Sequence, residues 1–141
     1  MDNMESTKCT ESTKYTTYMV EHFERSIINE YMQMDRFGVY VDNNGYIYLS
    51  DMYVKEQYRG SGVGGSVMVR LCEFADANGM DIRCIPSSDD DGQGDERLLR
   101  FYGRYGFVVV REYGGSVMEM VRNCVKRWNN IGVFIFLLYI L

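Results

Sequence analysis

The chain is expected to fold as one α/β domain in which a mixed central sheet is flanked by helices. Three observations predict it. Residues 46–54 form an apolar, strand-like run that passes through a glycine-rich turn into an amphipathic helix and then into a second short run, Asp81–Ile85; this is the order of a crossover joining two parallel strands. Two hairpin signals bracket that unit, Asp42-Asn43-Asn44-Gly45 before it and Tyr113-Gly114-Gly115 after it, so antiparallel strands join the parallel pair. The length of 141 residues, 46% of them apolar and 14% aromatic, suits one domain that buries roughly two thirds of its unfolded surface.

Taken in order, residues 1–17 are rich in Ser, Thr, Lys and Glu and are expected to be a mobile tail, with the domain proper at 18–124. Val20, Phe23, Ile27, Tyr31 and Met34 recur at spacings of three and four, which predicts a helix over about 18–35 with one apolar stripe. His22 lies off that stripe and, as the single histidine, reads as a surface residue. Gly38–Val41 and Tyr46–Val54 are the strands of the first hairpin. Strict alternation puts Asp51 on the face of Leu49 and Tyr53, and a bulge would reverse that parity, so its facing stays open. From Gly62 to about Asn78 the apolar residues Val63, Val67, Leu71, Phe74 and Ala75 repeat at helical spacing, and Asn78-Gly79 is a stop signal.

Beyond Asp81–Ile85 comes the polar stretch Pro86–Gly94, whose Asp89, Asp90 and Asp91 lack the alternation and terminal glutamate of a calcium loop. It reads as a solvated loop or as a rim that attracts cations. Asp95 is placed to cap a short helix bearing Leu98, Leu99, Phe101 and Tyr102, and the strands Phe107–Glu112 and Ser116–Val121 close the domain. Residues 125–141 are a basic and apolar tail: Lys126, Arg127 and Trp128 precede Ile131–Leu141, which as a helix spans roughly 16 Å, about half a bilayer core. That tail reads as packing on its own domain, as a homodimer contact, or as a membrane-surface anchor.

Composition narrows function before any motif does. The net charge is −5 and the basic residues are scattered, which argues against binding along nucleic acid. Cys9, Cys72, Cys84 and Cys124 are far apart with one histidine to complement them, so reduced thiols in a cytoplasmic protein are expected and a metal centre is not.

The chemistry concentrates in Val54-Lys55-Glu56-Gln57-Tyr58-Arg59-Gly60-Ser61-Gly62-Val63-Gly64-Gly65. Glycines at the mouth of a helix let consecutive N–H groups and the helix dipole face a pyrophosphate, with Arg59 as a charged partner at the edge. Three patterns share these letters. Gly60-x-Gly62-x-x-Gly65 matches a dinucleotide fingerprint, yet there the first glycine follows the strand directly, whereas here Lys55–Arg59 intervenes. A kinase loop lacks its His-Arg-Asp and Asp-Phe-Gly partners. The third pattern, Arg59-x-x-Gly62-x-Gly64 placed five residues after the strand-ending Val54, resembles the acyl-CoA signature of the GNAT superfamily of N-acetyltransferases, in a small stand-alone bacterial or phage form.

Leu99-Arg100-Phe101-Tyr102-Gly103-Arg104-Tyr105-Gly106-Phe107 is similar to a second pattern of that family, Leu/Phe-Tyr-x-x-x-Gly-Phe. The resemblance covers about residues 38–122, and the part before it is shorter than in the family. It implies a GNAT-like sheet and transfer of an acetyl group from acetyl-CoA to a primary amine, of a small molecule or a protein, by direct attack through a tetrahedral intermediate. It implies further that Met52, Tyr53, Val54, Arg59, Gly60, Ser61, Gly62, Val63, Gly64, Gly65 and Asp95 hold the cofactor. Asp95 stands where the family has asparagine. Tyr102 is implied as proton donor to the departing thiolate. Tyr48–Val54 is similar to the strand that carries paired acids in spermidine acetyltransferases; Asp51 matches the second acid, and Ser50 occupies the position of the base. That substitution keeps a second reading open, a non-catalytic CoA-binding or interaction module.

The chemistry requires such parts. An amine of ordinary pKa costs about 4.6 kcal/mol to present neutral at pH 7, so an acid or water must take its proton. An oxyanion needs a backbone N–H. A tyrosine can reprotonate a thiolate at a modest cost of about 2 kcal/mol when its pKa is ordinary.

Overall fold

The computed structural model describes residues 3–86 and 96–125. The chain runs α1 (Asn3–Glu30), β1 (Met34–Val41), β2 (Ile47–Val54), a single 3₁₀ turn (Glu56–Tyr58), α2 (Val63–Ala77), β3 (Ile82–Cys84), α3 (Glu96–Gly103), β4 (Val108–Tyr113) and β5 (Ser116–Arg122). The five strands form one mixed sheet in the order β1-β2-β3-β5-β4. β2 and β3 are parallel and the other neighbours antiparallel, as the crossover and the two hairpins predict.

Two boundaries at the N-terminal end are corrected. Residues 3–17, expected as a tail, are helical and continuous with the predicted stripe, and the hydroxyls of Thr16 and Thr17 bond back to the carbonyls of Ser12 and Thr13. Bonding to the carbonyl four residues earlier satisfies these hydroxyls without ending the helix. At the other end α1 stops at Glu30, and Met34, read as helical, is the first residue of β1. The long β2 supplies the reason, since β1 pairs along it from Met34–Val54 to Val41–Ile47. Asp95 and the tail from residue 126, including the apolar run 131–141, lie outside the described residues. Among the described residues no helix is long and apolar enough to cross a membrane.

The core lies between the sheet and the helices α1 and α2. Val20 and Ile27 of α1, Val67, Met68 and Leu71 of α2, and Ile47 and Ile82 of the sheet are all fully buried. Each such side chain contributes about 1.5–3 kcal/mol by leaving water. Phe23 of α1 stacks on Phe74 of α2 with ring centroids 4.4 Å apart, which joins the two helices. The end of α2 is tied to β5 by a nearly buried, two-pronged ion pair in which Arg122 Nη1 and Nη2 donate to Asp76 Oδ1 and Oδ2 at 2.8 and 3.0 Å. Breaking one partner of such a pair costs about 3–5 kcal/mol.

Two features of this frame position the site. The β2–β3 ladder holds for three residues, from Ile47–Ile82 to Leu49–Cys84, while β2 continues to Val54. Past Leu49 the parallel strands therefore part. Second, β1 and β2 pair Gly38 with Asp51 but Val39 with Leu49, so Ser50 is an extra residue, a β-bulge. At that interruption the Val39 amide donates to Glu24 Oε2 of α1 at 2.8 Å. A Cβ on Gly38 would stand 2.6 Å from Ser50 Oγ and 3.2 Å from Asp51 Oδ2, so a side chain there would force Ser50 and Asp51 to turn aside.

Candidate active site

The gap between β2 and β3 opens beyond the carboxyl ends of two parallel strands, the usual place for ligands of open α/β sheets. Gly62 stands at the mouth of α2 with φ +85°, in the left-handed region, and no side chain caps the helix. Its first intrahelical bond runs from Ser66 N–H to the Gly62 carbonyl at 3.0 Å, so the amides of Val63, Gly64 and Gly65 precede it without an intrahelical acceptor. Gly60, with φ +78°, and Gly62 have open space where a Cβ would be. The result is a concave row of donors at the positive end of a 15-residue helix.

The polar run before the glycines, which sets this loop apart from a dinucleotide fingerprint, is the 3₁₀ turn. Arg59 Nε folds back to donate to the Val54 carbonyl at 3.0 Å, and Ser61 Oγ donates to the Tyr58 carbonyl. These bonds fix the loop to the strand end and hold Arg59 at the rim. Met52 and Val54 face α2, their Cε and Cγ2 lying 3.8 and 3.7 Å from where a Gly64 Cβ would be.

α3 brings Tyr102 to the same gap. Its side chain is buried and packs against Phe101 and Phe107 with centroids 5.4 Å away in each case. Burial, and after it the neighbouring Cys84 and Tyr53, push the phenol well above its ordinary pKa. Tyr102 is thus held as a neutral hydroxyl within electrostatic reach of Cys84 on β3 and Tyr53 on β2. Cys84, also buried, is pushed up to about 12 by burial and the nearby Glu119. A thiol in that state is not a nucleophile near pH 7.

The bulge settles the open question of Asp51. With the parity reversed at Ser50, Met52 and Val54 point to α2, and Asp51 turns to the side of Arg36, whose Nη1 lies 3.7 Å from Asp51 Oδ1. The Arg36 guanidinium sits 4.0 Å above the ring of Tyr53. Asp51, Arg36 and Asp35 line an open pocket of about 300 Å³ with Ile28, Met34 and Phe37. A larger pocket of about 380 Å³ lies at the far end of the sheet, near Tyr15, Gly45 and Asn78; no acid or base other than a tyrosine lines it, so it offers no comparable chemistry.

The predicted residues therefore fall into two groups joined by Tyr53. Met52, Val54, Arg59, Gly60, Ser61, Gly62, Val63, Gly64 and Gly65 gather at the mouth of α2, Tyr102 stands beside Tyr53, and Asp51 lies beyond Arg36 in the pocket. Sequence reasoning missed Arg36, Gly38 and Tyr105. The Tyr105 hydroxyl lies 2.7 Å from where a Gly65 Cβ would stand, so this ring, which packs on Phe101, forms a wall of the glycine cradle. Its signal was present, since Tyr105 sits beside Gly106 in the second motif, whereas Arg36 and Gly38 carry no local pattern. Among the described residues no group of three or more His, Cys, Asp or Glu side chains could hold a metal ion.

The fold has a counterpart among solved structures. No curated protein matches the chain significantly. Ard1 from Thermoplasma volcanium superposes with a TM-score of 0.50 at 22% identity, over 63% of this chain and 62% of that one. PaiA N-acetyltransferase from Thermoplasma acidophilum, in complex with coenzyme A, gives 0.48 at 18% identity over 62% and 51%. Arabidopsis thaliana Naa50, in complex with a bisubstrate analogue, gives 0.45 at 15% over 62% of both chains. The chain thus spans less than two thirds of the length of these structures. The model of the acetyltransferase (GNAT) domain matches residues 16–109, more than half of the chain and the whole of the glycine cradle and α3, and on that match the chain belongs to the GNAT acetyltransferase family.

Proposed function

We propose that the protein is an acyl-CoA-dependent N-acetyltransferase that moves an acetyl group from acetyl-CoA to a primary amine by direct attack. The observation that carries this reading is the convergence at one strand gap of a capless helix N-terminus and a buried neutral tyrosine. The amides of Val63–Gly65 fit a pyrophosphate, with Arg59 at the rim adding a positive charge. Acetyl-CoA supplies the activated acyl group; the remaining work falls to the protein.

The acceptor approaches from the Asp51 side. Its ammonium passes one proton to Asp51, directly or through water, and the neutral nitrogen attacks the acetyl carbon. The new C–N bond forms, charge gathers on the carbonyl oxygen, and a backbone N–H of Met52–Val54, past the end of the β2–β3 ladder, is suited to receive it. The C–S bond then breaks. The thiolate takes a proton from Tyr102, which regains one as the nitrogen sheds its second, and the net reaction releases one proton. The raised pKa of Tyr102 makes complete transfer costlier than for a free phenol. It also keeps the hydroxyl protonated at every physiological pH, so the donor is always loaded. Direct attack is favoured over an acyl-thiol route because Cys84, the thiol beside Tyr102, stays protonated.

The test is thiol release from acetyl-CoA in the presence of pooled amines. Turnover that depends on an amine supports the reading. The engagement of Asp51 by Arg36 and the serine at position 50 favour one rival, a CoA-binding module without turnover. Binding of acetyl-CoA with no amine-dependent thiol release would establish that rival instead.

A further inference from the structure

The pocket beyond Tyr53 carries both signs of charge on an apolar floor. Asp51 and Arg36 are 3.7 Å apart, beyond hydrogen-bond distance, and their side chains are 40% and 49% exposed. An exposed pair of this kind contributes about 0–1 kcal/mol, so a ligand can part it at little cost. The contrast within the molecule is Arg122–Asp76, nearly buried and bonded at 2.8 Å, which no ligand would open. Once parted, Arg36 keeps its position because its guanidinium rests on the Tyr53 ring, and Asp35 keeps a second carboxylate within 3.9 Å of its Nε. Met34 and Phe37 form the buried apolar base, and Ile28 the exposed wall.

A purely cationic acceptor could use the carboxylates of Asp51 and Asp35 but would leave the Arg36 guanidinium with nothing new to bind. A molecule with an ammonium and a carboxylate on adjacent atoms matches both, carboxylate on Arg36 and ammonium toward Asp51. The volume, about 300 Å³, is at the small end of the range for ligand pockets, roughly 300–1,000 Å³. The Tyr53 ring that supports Arg36 belongs to the same stretch of β2 as Met52 and Val54, which face the mouth of α2. We infer that the acceptor is a small zwitterion, an α-amino acid with its carboxylate free, recognised by Arg36 and Asp51. This deepens the acetyl-transfer reading and rests on it.

The test uses the full chain and the twenty common L-amino acids, each beside its decarboxylated amine and its carboxamide. Binding is measured calorimetrically without acetyl-CoA, and thiol release with it. At least one amino acid is expected to bind about 10- to 100-fold more tightly than its amine, the range for one charge-assisted hydrogen bond. Arg36→Gln should erase that preference by weakening the amino acid's binding, and Arg36→Lys should restore part of it. Amines that bind as well as their amino acids, a preference that survives Arg36→Gln, or no amino acid binding at all would overturn the inference. The two readings fail separately. Amines acetylated regardless of a carboxylate contradict the zwitterion and spare the transfer, whereas an amino acid bound with the stated preference but never acetylated contradicts the transfer and spares the site.

Discussion

The cradle at the mouth of α2 and the pocket beside β1 are built from different parts of the chain. On the α2 side the groups offered to a ligand are backbone amides, made accessible by glycines and by a helix that begins without a side-chain cap. On the α1 side they are side chains, Asp51 and Arg36, brought together by a bulge at Ser50 and by pairing between strands. A backbone site can be specific for a phosphate and indifferent to everything else, which suits a co-substrate shared across a family. A side-chain site is redrawn by single substitutions, which suits an acceptor that differs from one member to the next.

The largest expected effect lies on the backbone side. Gly62→Asp puts a Cβ on a residue at φ +85° and a negative charge at the mouth of α2, and acetyl-CoA binding should be lost in calorimetry while the fold persists in circular dichroism. Undiminished affinity would break the comparison at its stronger half.

Next comes Tyr102→Phe, which keeps the packing ring and removes the hydroxyl. kcat should fall about 10²–10⁴-fold with little change in the Kd for acetyl-CoA, since loss of a positioned acid acts on the transition state. Tyr105→Phe is the control that should retain turnover. The same residue has a signature in stability. Folding holds the phenol neutral above its ordinary pKa, so its contribution is complete below about pH 10 and is lost as pH rises beyond. Denaturant midpoints of Tyr102→Phe should accordingly decline less between pH 9 and 11 than those of the parent, to the order of what one tyrosine can contribute.

A smaller effect sharpens the wall of the cradle. In the parent, Gly65→Ala pushes its Cβ against the Tyr105 hydroxyl; in Tyr105→Phe that obstruction is gone and the helix gains from alanine. A double-mutant cycle in urea should give a coupling of about 1 kcal/mol. Additive behaviour would mean that Tyr105 does not bound the cradle. The smallest effect is expected at Cys84→Ala, which should leave kcat within about threefold, because a thiol held near pKa 12 takes no part in the transfer. A burst of acyl-enzyme lost in that variant would point to a covalent route.

The same contrast explains how much could be read before the structure. Glycines at fixed spacing after Val54 encode the turn, the open amides and the helix start together, so the cradle and α2 were legible. Tyr102 was legible through its spacing from Gly106. The orientation of Asp51 was not, because a bulge appears only when two strands choose a register, and neither Ser50 nor Gly38 advertises one. Arg36 fell between the helix predicted to about 35 and the strand predicted from Gly38, while pairing with β2 drew the whole stretch from Met34 into β1. Local pattern predicts helices well until a distant strand offers the same residues a ladder. The length of α1 was missed for the opposite reason: its polar first half lacks a stripe, yet Thr16 and Thr17 satisfy themselves inside a helix.

The central claim is that acetyl-CoA is held by the backbone at the mouth of α2, and amide chemical shifts during a titration with acetyl-CoA test it most directly. The largest changes should fall on Gly62, Val63, Gly64 and Gly65, with smaller ones at Arg59 and the residues flanking Tyr102, and they should vanish in Gly62→Asp. Saturable shifts centred elsewhere, with the amides of 62–65 unmoved, would contradict the account.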